Sequence, residues 1–141
     1  MTPSVAAVVL NWNNWELTQN CVNSLFRSSC VPDIVVVVDN DSSDDSPAKL
    51  KKFLDGRCSS TKAESEAHLV GNLSRFPDKE FVLILASHNN GFAAGNNIGI
   101  SWLVSNRSTE FMWILNNDTE VHSSCLASIT EQIPNYPDVE I

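Results

Sequence analysis

The stretch VAAVVLNWNN, residues 5–14, sets six consecutive apolar residues directly before a cluster of amide side chains. An apolar run of this length, rich in Val, reads as a strand buried on both faces, because a half-exposed strand alternates polar and apolar positions. The same figure recurs along the chain. IVVVV at 34–38 runs into Asp39, Asn40 and Asp41, FVLILA at 81–86 into His88, Asn89 and Asn90, and FMWIL at 111–115 into Asn116, Asn117 and Asp118.

Helical patterns separate these runs. Leu17, Cys21, Val22, Leu25 and Phe26 fall on one helical face, with Asn13 or Asn14 as N-cap and Glu16 in the first turn. A second helix has Ser46 as cap and Pro47 at its first position, turns Leu50, Phe53 and Leu54 inward and is expected to close at Gly56. Ile98, Trp102 and Leu103 continue the pattern after the third run. Leu126, Ile129 and Ile133 do so after the fourth, where Pro134 stops the helix. Strand–helix alternation predicts an α/β fold with an open, mainly parallel sheet and helices on both faces. Residues 57–80 interrupt it, being polar with only Leu69, Val70, Leu73 and Phe76 as apolar anchors. The segment reads as a polar insertion or mobile loop, with a short surface helix over 63–68.

The bulk numbers bound the rest. With 141 residues and 43% hydrophobic content the chain forms one domain with a real core. Seventeen acidic residues against nine basic ones give a net charge of −8, which repels nucleic acid and anionic lipid. An anionic ligand then needs a metal ion or oriented backbone N–H groups. Cys21, Cys30, Cys58 and Cys125 lack zinc-site spacing and disulfide-scaffold density and read as free thiols. No apolar stretch is long enough to span a membrane, and the chain is expected to be soluble and cytoplasmic.

In an open α/β sheet the ligand binds outside the carboxyl ends of the strands, so the four polar clusters converge on one crevice. A single Asn/Asp cluster is explained by turns and helix caps; four in succession point to a polar ligand site. The first crevice lacks the Gly-x-Gly-x-x-Gly fingerprint, which disfavours a dinucleotide-binding domain. Gly91, Gly95 and Gly99, spaced four apart, allow either close backbone approach to a ligand or tight packing of a helix on the sheet. Asp118, just past a buried strand, suits Mg²⁺ or Mn²⁺, ions that take few protein ligands and complete their shell with water and substrate phosphates. Of the four tryptophans, Trp12, set between Asn11 and Asn13 of the first polar cluster, is the one candidate for stacking on a ligand. A signalling receiver with Asp39 as phosphate acceptor is a rival reading of the same fold, but the strand ends lack the Lys such a domain needs.

Together, VAAVVLNWNNWELTQNCVNSL, IVVVVDNDSSDDS, NNGFAAGNNIGI and WILNNDTEV resemble, in this order, the nucleotide-binding portion of family 2 glycosyltransferases, in the variant of the rhamnosyltransferase-like members. The resemblance spans most of the chain apart from residues 57–80. It implies a Rossmann-like GT-A half that binds a UDP- or dTDP-sugar with Mg²⁺ or Mn²⁺ for inverting transfer to an acceptor hydroxyl. It implies that Asn11 and Asn13 line the nucleotide pocket and that Asp39 contacts the base, with Asn40 and Ser42 beside it. Asn96 and Asn97, in the turn opened by Gly91, would lie near the ribose or donor sugar. Asn116, Asn117 and Asp118 take the place of the Asp-x-Asp motif, with Asp118 and Asn116 at the metal and Asn117 beside the donor. The family's general base and acceptor surface come later than Ile141, so the chain reads as a fragment without its own catalytic base. It then serves as the donor-binding part of a full-length transferase or, as the alternative, as a catalytically inactive nucleotide-binding or protein-interaction module. Apolar surface exposed by truncation would favour a homo-oligomer.

Overall fold

The run IVVVVD cannot leave either of its faces in water, and it becomes the buried middle of a six-stranded sheet. The structure, a computed structural model, describes residues 2–137. The elements are β1 (Val5–Asn11), α1 (Trp15–Phe26), β2 (Ile34–Asp39), α2 (Ser46–Arg57), β3 (Cys58–Ala63), β4 (His68–Leu73), β5 (Glu80–Leu85), α3 (Phe92–Asn106), β6 (Phe111–Asn116) and α4 (Cys125–Gln132), followed by a 3₁₀ turn at Ile133–Asn135. The strand order is β3-β4-β5-β2-β1-β6. Strands β5, β2, β1 and β6 are parallel, and β4 and β3 run antiparallel on the β5 side.

Alternation along the strands sorts the core into two layers. Ala7, Val9, Val35, Val37, Phe81 and Leu83 meet Val22 and Leu25 of α1 and Leu50 and Leu54 of α2. Ala6, Val8, Leu10, Val36, Val38 and Ile84 meet Trp102 and Leu103 of α3. The expected open sheet with helices on both faces is therefore present. Close approach of α3 depends on its glycines: a Cβ on Gly95 would lie 2.6 Å from Leu10 Cδ1, and one on Gly99 2.9 Å from Val8 Cγ1. Of the two roles open to these glycines, the structure gives both the packing role. On the same face β6 is covered only in part: Met112 packs against this layer, while Ile114 is 40% exposed.

Residues 57–80 differ from expectation. They form the hairpin β3–β4, which extends the sheet, and the segment read as a short helix lies at the hairpin turn. Strand β3, CSSTKA, is exposed at every position after Cys58, so it carries no alternation for the eye to catch. The anchors hold: Leu73 is buried, Leu69 and Phe76 pack on one layer and Val70 on the other. Gly56 does not end α2. The helix continues through Arg57 and passes straight into extended backbone at Cys58, so no left-handed residue is required. Asp45, not Ser46, is the N-cap of α2, and Leu17 and Ile129, read as core, lie on the outer sides of their helices. Helix α4 stops at Gln132 and Pro134 sits in the 3₁₀ turn beyond it. The four cysteines are free thiols. Among the described residues no helix is long and apolar enough to cross a membrane.

Candidate functional site at the carboxyl edge

Strand register places the polar residues level with one another. Asn11 pairs with Asp39 across β1 and β2, Leu10 with Asn116 across β1 and β6, and Asp39 with Leu85 across β2 and β5. Asn11 and Asp39 continue the stripe of Ala7, Val9, Val35 and Val37, so both side chains turn towards α1. Both are fully buried.

A buried carboxylate needs donors. Asp39 Oδ1 accepts from Asn11 Nδ2 at 2.8 Å and from Ser42 Oγ at 2.7 Å, while Oδ2 accepts from the Ser42 amide at 3.0 Å. Ser42 Oγ in turn accepts from the Asn13 amide at 2.9 Å, and Asn13 Oδ1 accepts from the Ser43 amide at 2.8 Å. The loops after β1 and β2 are thereby stitched together. Asn13 (φ 51°) and Asp41 (φ 57°) adopt the left-handed conformation that Asn and Asp tolerate better than other residues with a Cβ.

From Asp39 the hydrogen bonds run on towards β6. Thr18 Oγ1, in the first turn of α1, donates to Asn11 Oδ1 at 2.7 Å and accepts from Asn117 Nδ2 at 3.2 Å. Asn117 belongs to the turn Asn116–Thr119, closed by the Thr119 amide donating to the Asn116 carbonyl at 3.1 Å. Cys21 Sγ lies 3.7 Å from that same carbonyl, and the Val121 amide donates to Ser24 Oγ at 2.9 Å. Thr18, Cys21 and Ser24 thus form one ridge of α1 that pins the turn. Burial, and then the charge of Asp118, pushes the Cys21 thiol up to about 11, so it stays protonated.

On the β5 side, Asn40 Nδ2 donates to Asn89 Oδ1 at 3.1 Å and to the Gly91 carbonyl at 3.3 Å, and the Gly91 amide donates to Asn89 Oδ1 at 2.9 Å. Gly91, at φ 94°, starts α3. Asn96 is buried and donates to the Phe92 carbonyl at 3.1 Å. The side-chain oxygens of Asn40 and Asn96 are buried without a protein donor, a need that a water or a ligand hydroxyl meets. Asn97, one residue along the helix, points elsewhere, into an open groove beside His68 and Trp102.

Of the residues singled out in the sequence, the structure joins Asn11, Asn13, Asp39 and Ser42 in one network, links Asn117 to it through Thr18, and sets Asn40, Gly91 and Asn96 beside it. It does not bring Asn97 there. Asn116 and Asp118 stand exposed at the turn. Among the described residues no three His, Cys, Asp or Glu side chains gather into a metal cluster. The carboxylate of Asp118 and the amide oxygen of Asn116 are hard oxygen donors, which fit a cation that keeps water and phosphate oxygens as its other ligands. Thr18 was not among the residues singled out in the sequence, and Asn89 was so only as part of the third polar cluster. The only sequence signal for Thr18 is a hydroxyl among the inward positions of a helix that follows a buried Asn.

Residues 6–141 match the sequence model of Glycosyl transferase family 2. Among solved structures, S. aureus TarS residues 1–349 superposes with TM-score 0.66 at 16% identity, over 95% of this chain and 33% of that one. The mannosyltransferase PcManGT from Pyrobaculum calidifontis, solved with GDP-Man and Mn²⁺, gives TM-score 0.66 at 17% identity over 94% and 33%. TarS has also been solved with UDP, with TM-score 0.65 at 16% identity, over 95% of this chain and 33% of that one. The chain therefore spans about a third of the length of these structures. No curated protein sequence matches it.

Proposed function

We propose that this chain, which belongs to glycosyl transferase family 2, is the donor-binding part of a transferase, taking a nucleoside diphosphate sugar across the carboxyl edge of its sheet. The observation that carries the reading is the network from Asp39 through Asn11 and Thr18 to Asn117. It ties a nucleotide-side loop to the turn bearing Asp118 without using any of the exposed oxygens of that turn.

In this reading the base lies at the stitched loops of Asn13, Asp39, Asn40 and Ser42. Asp39 Oδ1 already accepts two hydrogen bonds and Oδ2 only the Ser42 amide, so a base that bonds to Asp39 does so at Oδ2. Asn96 and Gly91 serve the ribose or sugar, with the free oxygens of Asn40 and Asn96 as acceptors for its hydroxyls. Asn97, facing the other groove, is the weakest member of the set. Asp118 and Asn116 hold Mg²⁺ or Mn²⁺, which when bound offsets charge on the departing diphosphate. We assign the chain to the rhamnosyltransferase-like, inverting branch on its Asn116-Asn117-Asp118 turn and propose a UDP- or dTDP-linked donor. The general base expected beyond Ile141 lies outside the described residues. Free thiols suit a reducing compartment such as the cytoplasm.

Calorimetric titration with UDP, dTDP, GDP and their sugar conjugates, with and without Mn²⁺, tests the reading on the wild type and on Asp118→Ala. Metal-dependent binding of one nucleotide family, lost in Asp118→Ala, is expected. Equal affinity with and without metal would remove Asp118 and Asn116 from the site, and no binding to any of them would overturn the donor assignment.

A further inference from the structure

We propose that the amino edge of the sheet carries a second site, for a phosphate-bearing ligand, formed by Arg27, Arg57 and Arg75. The chain has only nine Lys and Arg side chains against seventeen acids, yet three of its arginines line a single cavity of about 180 Å³. None of its lining residues is acidic; Phe26, Leu73 and Phe76 supply apolar wall and Asn23 a neutral amide. Helix α1 ends there, α2 ends there, and β4 turns there towards β5. The cavity is thus on the edge opposite the nucleotide-side residues, and the inference does not rest on the donor reading.

Convergence of like charges costs electrostatic energy that a protein with a surplus of carboxylates relieves easily by placing one nearby. Here that relief reaches only Arg27. Arg57 Nη2 donates to the neutral Asn23 Oδ1 at 2.7 Å, and its guanidinium lies 5.2 Å from the Phe53 ring centre. Arg75 lies 5.7 Å from the Phe76 ring centre. Among the described residues the ion pairs leave both arginines out, and Arg27 reaches only the exposed Glu120, at 3.8 Å. Arginines at helix C-termini offset the helix dipole, which accounts for Arg27 and Arg57 one by one. It does not account for Arg75, which sits in the turn after β4 and lines the same cavity. Stacking on aromatic rings holds two of the forks in place, and guanidinium forks match phosphate oxygens. The volume equals that of about six liquid waters, enough for one phosphate group with its remaining hydration, and the Phe26–Phe76 wall suits an apolar body attached to it.

The test is titration of inorganic phosphate at constant ionic strength, read by calorimetry and by broadening of the phosphorus resonance. Wild-type protein is expected to bind saturably. Arg57→Gln and Arg75→Gln should each weaken binding by roughly tenfold or more, and Lys62→Gln, an exposed charge on β3, should leave it unchanged. Arg75 is exposed, so Arg75→Gln tests the site even if Arg57→Gln perturbs α2. Asp118→Ala must retain binding, which separates this site from the carboxyl edge. Two further arms identify the source of the phosphate. Arg75-dependent sedimentation with phosphatidic acid vesicles, absent for phosphatidylcholine alone, assigns it to a lipid headgroup. Tighter binding of phenyl phosphate than of inorganic phosphate, without sedimentation, assigns it to a soluble ester. Absence of saturable phosphate binding, or equal binding in Arg75→Gln and wild type, overturns the proposal.

Discussion

At the carboxyl edge, Asn11, Thr18, Ser42 and Asn117 pass hydrogen bonds among neutral side chains around one buried carboxylate, whereas at the amino edge opposite charges close the strands. There Lys79 Nζ lies 2.6 Å from Asp33 Oδ1, Asp33 Oδ2 also accepts from the Val5 amide at 2.8 Å, and Arg107 grips Glu80 with contacts of 2.7 to 3.1 Å. The difference is one of what is left over. Ion pairs spend both charges on the fold, while a network of amides and hydroxyls fixes the loops and leaves Asp118 uncommitted. For the metal and diphosphate proposed above, the second kind of chemistry is the better frame.

The comparison predicts where stability resides. Asn11→Ala strips a donor from Asp39 and an acceptor from Thr18 in a fully buried setting, and should cost about 2–3 kcal/mol in urea denaturation. The loss should be nearly the same at low and high salt, because the groups it orphans are screened little. A cost under about 1 kcal/mol would mean that water replaces the amide, and that the carboxyl-edge network is a consequence of the fold rather than a support for it.

The parts of this arrangement that could be read in the sequence are those in which one residue type does one job over a long stretch. Continuous Val-rich runs belong to strands buried on both faces, and Asn or Asp after each run marks the strand ends. Thr18 was invisible because a hydroxyl on an inward helical position breaks an apolar pattern instead of making a polar one. Only the register of Asn11 against α1 gives it a partner. Strand β3 was invisible for the opposite reason: edge position, exposure on both faces and a register shift between Cys58 and Ser60 leave no periodicity. Asn96 and Asn97 were read as a pair, yet neighbouring helix positions point about 100° apart, so only one can serve the crevice.

Thr18→Val keeps shape and removes the hydroxyl that joins Asn11 to Asn117. We expect about 1–2 kcal/mol of destabilisation. The more telling readout is functional: metal-dependent nucleotide affinity should fall by roughly tenfold while the metal-independent part holds, because Asn117 and the Asp118 turn lose their tether to α1. Thr18→Ser should restore both. Equal weakening with and without metal would show that the hydroxyl supports the protein generally and does not position the turn.

Lys79→Gln measures the amino edge by the same standard. The pair is partly exposed, with side-chain exposures of 22% and 38%, so solvent discounts it to about 0.5–1 kcal/mol. Unlike the Asn11 effect, it should shrink between low and high salt. If Lys79→Gln proved as costly as Asn11→Ala and equally indifferent to salt, the contrast between the two edges would fail.

Trp12→Ala should have the smallest effect on stability, within about 0.5 kcal/mol, as for other exposed side chains. Trp12 is 57% exposed directly beyond β1, between Asn11, whose amide is locked inward, and Asn13, whose backbone is held by Ser42. An indole on so fixed a mount loses little freedom when a flat ring stacks on it, and stacking of a base on an aromatic side chain is worth about 1–3 kcal/mol. Nucleotide affinity should therefore drop by about fivefold or more in a variant whose urea midpoint is unchanged. Binding that survives Trp12→Ala but not Asp118→Ala would place the base deeper, against Asn13 and Ser42, and leave the indole outside the pocket.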